Sequence, residues 1–367
     1  MIQSGGIKAD VVWGQSDFTS NAPNAGSQFG TLAEPSDATL NLGQIADGPV
    51  LVSSGGTSVD PDGQHVWVAD TYNNRVLRFP LNSKHADLVI GQASFTSRGI
   101  SCAVSNPQHD CLGSLMYPLL AAVNPNDGKL YVLEEYADPF RTRILVYNGP
   151  FTNGMVASGV IVPQQPLVAS NNPSRPAMVA FRNWTGFDSF PGTYLFQSTG
   201  FVFNPLYSAD PAVQAANPLA KGVLWVNEQT ASRTILIDGA GNIITAIGVP
   251  DLNTIGGYAA TPNPGCGVNP ANPFTVWWPG GSIGFDSQNN IYLADEEFSR
   301  VARYALPYTV NPSTGCLPAA NGGFFPGTAG SPLDNFNVSA GDQQPGSELA
   351  PLLTGVDTAL PSVAAWA

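Results

Sequence analysis

The sequence predicts an all-β protein built from repeated modules of four short antiparallel strands. Three observations indicate this class: a segment recurs with a period of about 75 residues, turn-forming residues separate short strands of alternating polarity, and no amphipathic pattern extends beyond about three helical turns. The 39 glycines and 32 prolines among 367 residues fit a chain with many turns. Radial repetition of such modules protects their sheet edges, and this arrangement is the β-propeller architecture.

The first recurring element supplies three strands. Its clearest copy, residues 56–79, places an Asp-Pro-Asp-Gly turn between a strand of small residues and the alternating strand 66–69. Proline presets φ at the second turn position and glycine accepts positive φ, so this composition predicts a tight turn. A four-residue loop and a third strand, 75–79, follow. Further copies of this element occur at residues 120–147, 222–238 and 284–304.

The second recurring element supplies a fourth, outer strand. It reads Val-Trp-Gly-Gln-Ser-Asp-Phe-Thr-Ser at residues 12–20 and Val-Ile-Gly-Gln-Ala-Ser-Phe-Thr-Ser at 89–97, with weaker copies at 161–167 and 246–252. The two elements divide a single domain, residues 1–367, into repeat units and a tail outside the repeat. We place the units at residues 11–79, 87–147, 160–238 and 244–304, and the tail at 305–367.

The composition excludes several classes of function. The chain carries 14 basic and 27 acidic residues, which give a formal net charge of −13. Because basic residues supply the affinity for phosphate backbones, we expect no nucleic-acid partner. No apolar run reaches the roughly 18 residues that a membrane-spanning helix needs, so we also expect no membrane span.

The four cysteines indicate the compartment. Each lies in a segment rich in Pro, Asn or Gly, and none belongs to a Cys-x-x-Cys pair. We expect the disulfide bonds Cys102–Cys111 and Cys266–Cys316 in an oxidising, extracellular or periplasmic compartment; the alternative is four unrelated thiols. The numbered sequence shows no signal peptide, so we expect that it was removed or that the protein takes another route.

An acid precedes an arginine in every unit, and each pair flanks the loop between the second and third strands. A carboxylate–guanidinium contact, or bonds from the acid to the backbone, would fix this loop. We therefore expect a structural role, and an acidic ring that binds cations is the alternative. In the second unit the acid is either Glu134 or Asp138. The pairs are Asp70 with Arg75, Glu134 with Arg143, Glu228 with Arg233, and Asp295 with Arg300.

The loops flanked by these pairs form the candidate binding face. In a propeller, corresponding loops converge on one face, and binding residues commonly lie on loops over a rigid scaffold. Aromatic rings in these loops either contact a ligand or pack against neighbouring blades, and the sequence leaves both open. The candidate binding residues are Tyr72, Asn73, Glu135, Tyr136, Phe140, Gln229, Glu296 and Phe298.

The sequence offers no recognisable catalytic set. Its three histidines do not follow the repeat, so a three-histidine zinc site is not expected. The nucleophile elbow, the phosphate-binding loop and the dinucleotide-binding motif are absent. We expect no cofactor, no metal site and no catalytic residue. Calcium stays open because it needs only oxygen ligands, although the Asp and Asn residues at 60–62, 126–127 and 286–289 fit turn chemistry better.

The repeat resembles that of the NHL-repeat β-propellers. The four copies of the first element carry the resemblance, and the closest match is Val-Ala-Asp-Thr-Tyr-Asn-Asn-Arg-Val at residues 68–76. The Gly-Gln-x-x-Phe-Thr-Ser linkers look like those of the long-linker, secreted bacterial branch. The resemblance implies a rigid recognition platform, usually of six blades. We count the four readable units, one more blade within residues 148–221, and one formed by the tail with the N-terminal strand.

These expectations favour a non-catalytic extracellular recognition or scaffold module that presents its loops to a protein or glycan. A self-assembling surface or filament subunit is a variant of this hypothesis. The apolar stretch 352–364 of the tail could add a strand to a neighbouring copy and so form a homo-oligomer, or it could close its own propeller. The second hypothesis is a calcium-dependent hydrolase or lyase of the six-bladed type.

Overall fold

The computed structural model of the chain divides into two compact units. The first unit comprises Met1–Pro139 and Arg143–Val160, and the second comprises Phe140–Thr142 and Ile161–Ala367. The structure describes residues 9–26, 33–42, 55–100, 111–136, 138–162, 195–196, 198–228, 233–248, 279–295 and 300–305.

The described residues form four antiparallel sheets, blades 1 to 4, in which the main strands follow one another in chain order. Blades 1 and 3 have four strands each, blade 2 has a fifth strand beside its third, and blade 4 has three. The prediction of an all-β β-propeller built from antiparallel strand modules is confirmed. The count of six blades and the unit boundaries stay predictions.

Blades 1 and 2 come first in the chain. Blade 1 consists of β1 (Thr57–Val59), β2 (His65–Asp70), β3 (Arg75–Pro80) and β4 (Leu88–Ile90). Blade 2 consists of β5 (Pro118–Val123), β6 (Leu130–Tyr136), β7 (Asp138–Tyr147) and β8 (Gly159–Ile161), with β9 (Leu195–Phe196) paired to β7.

Blades 3 and 4 follow in the second unit. Blade 3 consists of β10 (Phe201–Phe203), β11 (Leu224–Glu228), β12 (Arg233–Ile237) and β13 (Ile243–Gly248). A short helix, α1 (Pro211–Ala216), lies between β10 and β11 and is capped by the side chain of Asp210. Blade 4 consists of β14 (Pro279–Phe285), β15 (Ile291–Asp295) and β16 (Arg300–Tyr304).

The turn between the first two strands forms as the Asp-Pro-Asp-Gly pattern predicts. Gly63 has a φ of +67°, and its N–H donates to Asp60 O at 2.9 Å. Gly128 has a φ of +68° in the equivalent turn of blade 2, and Asn289 has a φ of +62° in blade 4. Glycine adopts positive φ without steric cost and asparagine tolerates it better than most residues, which explains the choice of residue at these positions.

A tryptophan lies at an equivalent strand position in the core of each unit. In the first unit, Trp67 of β2 is fully buried and contacts Phe151 edge-on, with the ring centroids 5.4 Å apart. Its cluster combines residues of blades 1 and 2, among them Leu130. In the second unit, Trp225 of β11 is fully buried in a cluster with residues such as Leu293 of β15. These large apolar surfaces hold neighbouring blades together.

Gly56 lets blades 1 and 2 approach closely at their first strands. Its N–H donates to Leu119 O at 3.0 Å, and a Cβ at this position would clash with the same oxygen. Two further hydrogen bonds join these blades: Ser58 Oγ donates to a carbonyl of β5 at 2.6 Å, and Thr71 Oγ1 donates to Pro118 O at 2.8 Å. The loop after β2 is therefore tied directly to the next blade.

Candidate functional site

The loop between β2 and β3 is held by a buried ion pair. Asp70 ends β2 and Arg75 begins β3, and the two residues lie opposite each other in the strand register. Arg75 Nε donates to Asp70 Oδ2 at 2.6 Å, and both side chains are fully buried. The carboxylate also accepts the N–H of Asn41 on Oδ1 at 2.6 Å and the Nδ2 group of Asn73 on Oδ2 at 2.9 Å.

The guanidinium of Arg75 reaches beyond its acid to three backbone carbonyls. It donates to Ser36 O and Thr39 O, each at 2.9 Å, and to Phe95 O. One arginine thus connects the loop with a segment that precedes the blade and a segment that follows it. Burial raises the pKa of the Asp70 carboxyl, and the charge of Arg75 opposes this rise.

Blade 2 repeats the arrangement with a glutamate. Arg143 donates from Nε and from its terminal nitrogen to Glu134 Oε1, each at 2.7 Å, and both side chains are buried. Glu134 Oε2 accepts the N–H of Met116 at 2.8 Å. Burial raises the pKa of the Glu134 carboxyl, and the Arg143 charge opposes this rise. Arg143 therefore pairs with Glu134, and the side chain of Asp138, the other candidate acid of this blade, lies outside the description.

Blades 3 and 4, in the second compact unit, place an acid and an arginine opposite each other in the same way. Arg300 Nε donates to Asp295 Oδ2 at 2.9 Å across the β15–β16 register; the acid is buried and the arginine is 28% exposed. Glu228 and Arg233 lie opposite each other between β11 and β12, and Glu228 is fully buried. In each blade the acid is therefore buried near the end of the second strand, and in blades 1 and 2 its carboxylate binds both the arginine and a backbone N–H.

The candidate binding residues of blade 1 are buried. The ring of Tyr72 packs edge-on against Tyr117, with centroids 6.2 Å apart. Asn73 exchanges two amide hydrogen bonds with Asn24, at 3.1 and 2.7 Å. This packing favours the alternative in which the aromatic residue of this loop contacts the neighbouring blade. A binding role for the residues of the candidate face stays a prediction.

The loop expected at residues 135–140 in blade 2 is mostly strand. β6 continues to Tyr136 and β7 begins at Asp138, so the insertion lengthens the hairpin instead of forming a wider loop. Glu135 is buried, and its N–H donates to Tyr117 O at 3.2 Å. The side chains of Tyr136 and Phe140 lie outside the description, as do the whole residues Gln229, Glu296 and Phe298.

The acidic residues at the first turns take part in turn hydrogen bonds. Asp60 Oδ2 accepts Trp67 Nε1 at 2.7 Å, and Asp62 accepts the N–H of Gln64 at 2.7 Å. In blade 4, Asp286 accepts the N–H and the side-chain amide of Asn290 at 2.9 and 2.8 Å. Within the described residues, no group of three His, Cys, Asp or Glu side chains is arranged to hold a metal ion.

Two other predictions touch the described residues only in part. Of the four cysteines only Cys111 lies in the described part of the chain, so the two disulfide pairings stay predictions. The apolar stretch of the tail lies wholly outside the described residues. No helix in the described ranges has the length and apolarity to cross a membrane.

Sequence reasoning missed the backbone partners of the acids and arginines. The N–H groups of Asn41 and Met116 bind the two acids of the first unit from equivalent positions, directly after Leu40 and Leu115. The sequence contained a signal for these two backbone positions, because each leucine follows a Gly-Gln linker at the start of its repeat. The linker glycines, Gly14 and Gly91, each lie against the corresponding leucine.

Comparison with known proteins identifies the repeat. Residues 55–79 match the NHL repeat family, and no curated protein matches the chain. Among solved structures, the chain is similar to a streptogramin B lyase, with 12% identity over 72% of this chain and 58% of that chain and a TM-score of 0.31. It is also similar to an auxiliary nutrient-binding protein of Bacteroides thetaiotaomicron, with 10% identity over 67% and 46% of the two chains and a TM-score of 0.35.

A glutaminyl cyclase of Myxococcus xanthus is a third similar structure, with 11% identity over 69% of this chain and 73% of that chain and a TM-score of 0.30. The chain spans only about half the length of the first two structures. Similarity at this level supports no inference about substrate or activity. The NHL match lies on β1–β3 of blade 1, the segment that contains the Asp70–Arg75 pair. Blade 1 therefore contains an NHL repeat, and the described part of the chain adds three further antiparallel sheets whose main strands follow the same chain order.

Proposed function

We propose that the protein is a non-catalytic recognition or scaffold module that acts outside the cytoplasm and presents its propeller loops to a protein or glycan. The observation that carries the proposal is the buried acid–arginine pair that holds the connection between the second and third strands of blades 1 and 2. In both blades the acid also accepts a backbone N–H, from Asn41 in blade 1 and from Met116 in blade 2, and Arg75 of blade 1 donates to three backbone carbonyls.

A loop fixed in this way is preorganised for binding. An interface that is ordered before contact loses less conformational entropy on association, so more of its contact energy contributes to affinity. The acids of these loops also accept hydrogen bonds from arginine and backbone groups, which favours a structural role for them over proton transfer. The loop-rich cysteine contexts and the low content of charged residues support the extracellular or periplasmic location.

The proposal is tested by binding of the purified protein to a printed oligosaccharide array and to an array of extracellular proteins. A loop variant combines Gln229→Ala, Glu296→Ala and Phe298→Ala. A matched control variant replaces three exposed polar residues of the first turns, at the other end of the blades: Gln64→Ala, Asn126→Ala and Gln288→Ala.

We expect the native protein to bind specific array members, the control variant to bind them equally, and the loop variant to lose about tenfold or more in affinity, as when interface anchors are truncated. Equal binding by the loop variant would show that these loop residues do not contribute to recognition. Failure of the native protein to bind either array would argue against recognition of these two partner classes.

A further inference from the structure

The outer strand of blade 1 ends its sheet with a short, buried edge. β4 pairs with β3 on one side and is the last strand of the sheet, and its residues, Leu88–Ile90, are all buried. In an antiparallel sheet, alternate residues direct their backbone N–H and C=O groups to the same side. An edge strand presents its outward groups as a template for a further strand, so the cover of this edge decides whether another chain can pair with it.

A segment from blade 2 covers this edge. Residues 151–157, called the strap below, belong to the connection between β7 and β8 and lie in the same compact unit as blade 1. Asn153 Oδ1 accepts the N–H of Val89 at 2.9 Å, and the N–H of Gly154 donates to Val89 O, also at 2.9 Å. The strap thus binds both backbone groups of the central residue of β4, as a neighbouring strand would.

Both ends of the strap are anchored. At its start, Phe151 packs edge-on against Trp67, and Met155 packs against the same core cluster. At its end, Ala157 is buried, and its N–H donates to Leu112 O at 2.7 Å. The strap is therefore held in place by apolar packing and by backbone hydrogen bonds on either side of its contact with β4.

The sequence of blade 2 provides for this contact. Its connection between the third and fourth strands spans residues 148–158, whereas the corresponding connections of blades 1 and 3 span only residues 81–87 and 238–242. Gly154 has a φ of +68°, and a Cβ at this position would lie 3.3 Å from Gln92 O. Glycine adopts this φ and allows this close backbone approach without steric cost. The longer connection and its glycine thus place the strap against blade 1.

We propose that the strap is an autoinhibitory segment that prevents a second copy of the protein from pairing with β4. Proteins commonly protect a sheet edge by covering it with a loop, and here the loop occupies the same two backbone groups of Val89 that a further strand would use.

The partner of an uncovered edge is a second copy of the same edge. Two β4 strands can pair antiparallel about a two-fold axis, because each offers the outward N–H and C=O of Val89 to the other. Such a contact uses the same surface on both copies and closes as a dimer. This inference goes beyond the proposed function and does not depend on recognition of a protein or glycan.

Amide hydrogen exchange in the full-length protein measures the cover of the edge, because the N–H of Val89 is bound by a side chain of the strap. Asn153→Ala removes the acceptor, and we expect the Val89 amide to exchange about tenfold faster, as the loss of one hydrogen bond implies. Asn153→Asp keeps an acceptor oxygen, and Thr152→Ala changes the exposed side chain beside it. We expect both control variants to exchange like the native protein.

Removal of the strap tests association, with the molar mass measured by light scattering and folding checked by tryptophan fluorescence. One variant replaces residues 148–158 by residues 238–242, the shorter connection of blade 3. A milder variant, Asn153→Ala/Gly154→Ala, removes the acceptor and brings a Cβ against the linker after β4, while the apolar anchors of the strap stay in place. We expect both variants to dimerise at concentrations where the native protein and Thr152→Ala keep a constant mass.

The exchange of Val89 also locates the new contact. Where uncovered edges pair, association protects this amide again, so its exchange in the uncovered variants slows as the protein concentration rises. Native exchange at Val89 in Asn153→Ala would show that the strap does not cover the edge. Uncovered variants that keep the native mass, or that associate without protecting Val89, would show that the strap does not prevent strand addition; any of these results overturns the proposal.

Discussion

Replacement of Arg75 by methionine tests the role of the buried ion pair. Arg75→Met keeps an unbranched apolar stem but leaves the Asp70 carboxylate in the core without its counter-charge, and only the neutral donors of Asn41 and Asn73 remain. The substitution also removes the donors to Ser36 O and Thr39 O. Breaking a buried pair by removal of one partner costs about 3–5 kcal/mol, and we expect the free energy of unfolding to fall by that amount at pH 7.

The chain offers a matched control in the same strand. Arg78 pairs with Asp87 at 2.8 Å, but the two side chains are 22% and 36% exposed. Exposed ion pairs contribute about 0.2–1 kcal/mol, so Arg78→Met is expected to cost far less than Arg75→Met. The double variant Asp70→Asn/Arg75→Met removes both buried charges, and we expect it to be more stable than Arg75→Met alone.

The direction of the Asp70 pKa shift determines how the stability deficit of Arg75→Met changes with pH. Burial raises the pKa of Asp70 and Arg75 opposes the rise; without Arg75 the folded-state pKa moves further above the unfolded value of about 3.9. A carboxyl with a raised folded-state pKa binds more protons in the folded state than in the unfolded state. The deficit of Arg75→Met is therefore full at neutral pH and shrinks as the pH falls toward about 4.

The assay is urea unfolding followed by tryptophan fluorescence, with the slope m checked for constancy between variants. Each variant is measured at several pH values between about 4 and 8, the range in which the stability deficit of Arg75→Met is expected to shrink. If Arg75→Met is as stable as Arg78→Met, or if its deficit does not depend on pH, the buried pair does not stabilise the fold in the way described.

Three further predictions address the blade contacts, a turn and the cysteines. Gly56→Ala introduces a Cβ that clashes with Leu119 O and is expected to cost about 1–3 kcal/mol, whereas Gly99→Ala, which has open space around it, should be neutral in the same unfolding assay. Hydrogen bonds from Asn290 hold the pKa of Asp286 below its usual value, so the destabilisation by Asp286→Ala should be present above about pH 4 and fade below it; a deficit that persists at pH 2 would contradict this. Peptide mapping without reductant should find two disulfides, and any other pairing or free thiols would refute the assignment Cys102–Cys111 and Cys266–Cys316.

The strands and turns could be predicted because their signals are local. The Asp-Pro-Asp-Gly turn, the alternating strand after it and the recurrence of both lie in contiguous residues, and the structure places a positive φ at Gly63 accordingly. The acid–arginine pairs could be predicted for the same reason, because the two residues lie close in sequence and face each other across a short hairpin, as Asp70 and Arg75 do.

The rest of the site depends on contacts between distant segments. Ser36 O, which binds Arg75, lies 39 residues away in the sequence, and every residue carries a carbonyl, so composition does not reveal which one is used. The burial of Tyr72 depends on Tyr117 in the next blade. In blade 2, the extension of β6 to Tyr136 shows that an insertion can lengthen a hairpin rather than widen its loop.

The most direct test of the central claim is the metal content of the native protein. Native mass spectrometry after dialysis against calcium, paired with the melting temperature in calcium and in a chelator, measures whether the protein retains an ion. A non-catalytic module whose loop acids are engaged by arginine predicts a mass without stoichiometric metal and a melting temperature unaffected by the chelator. One retained calcium ion per chain, with a melting temperature that falls on chelation, would contradict the account and favour the calcium-dependent hydrolase.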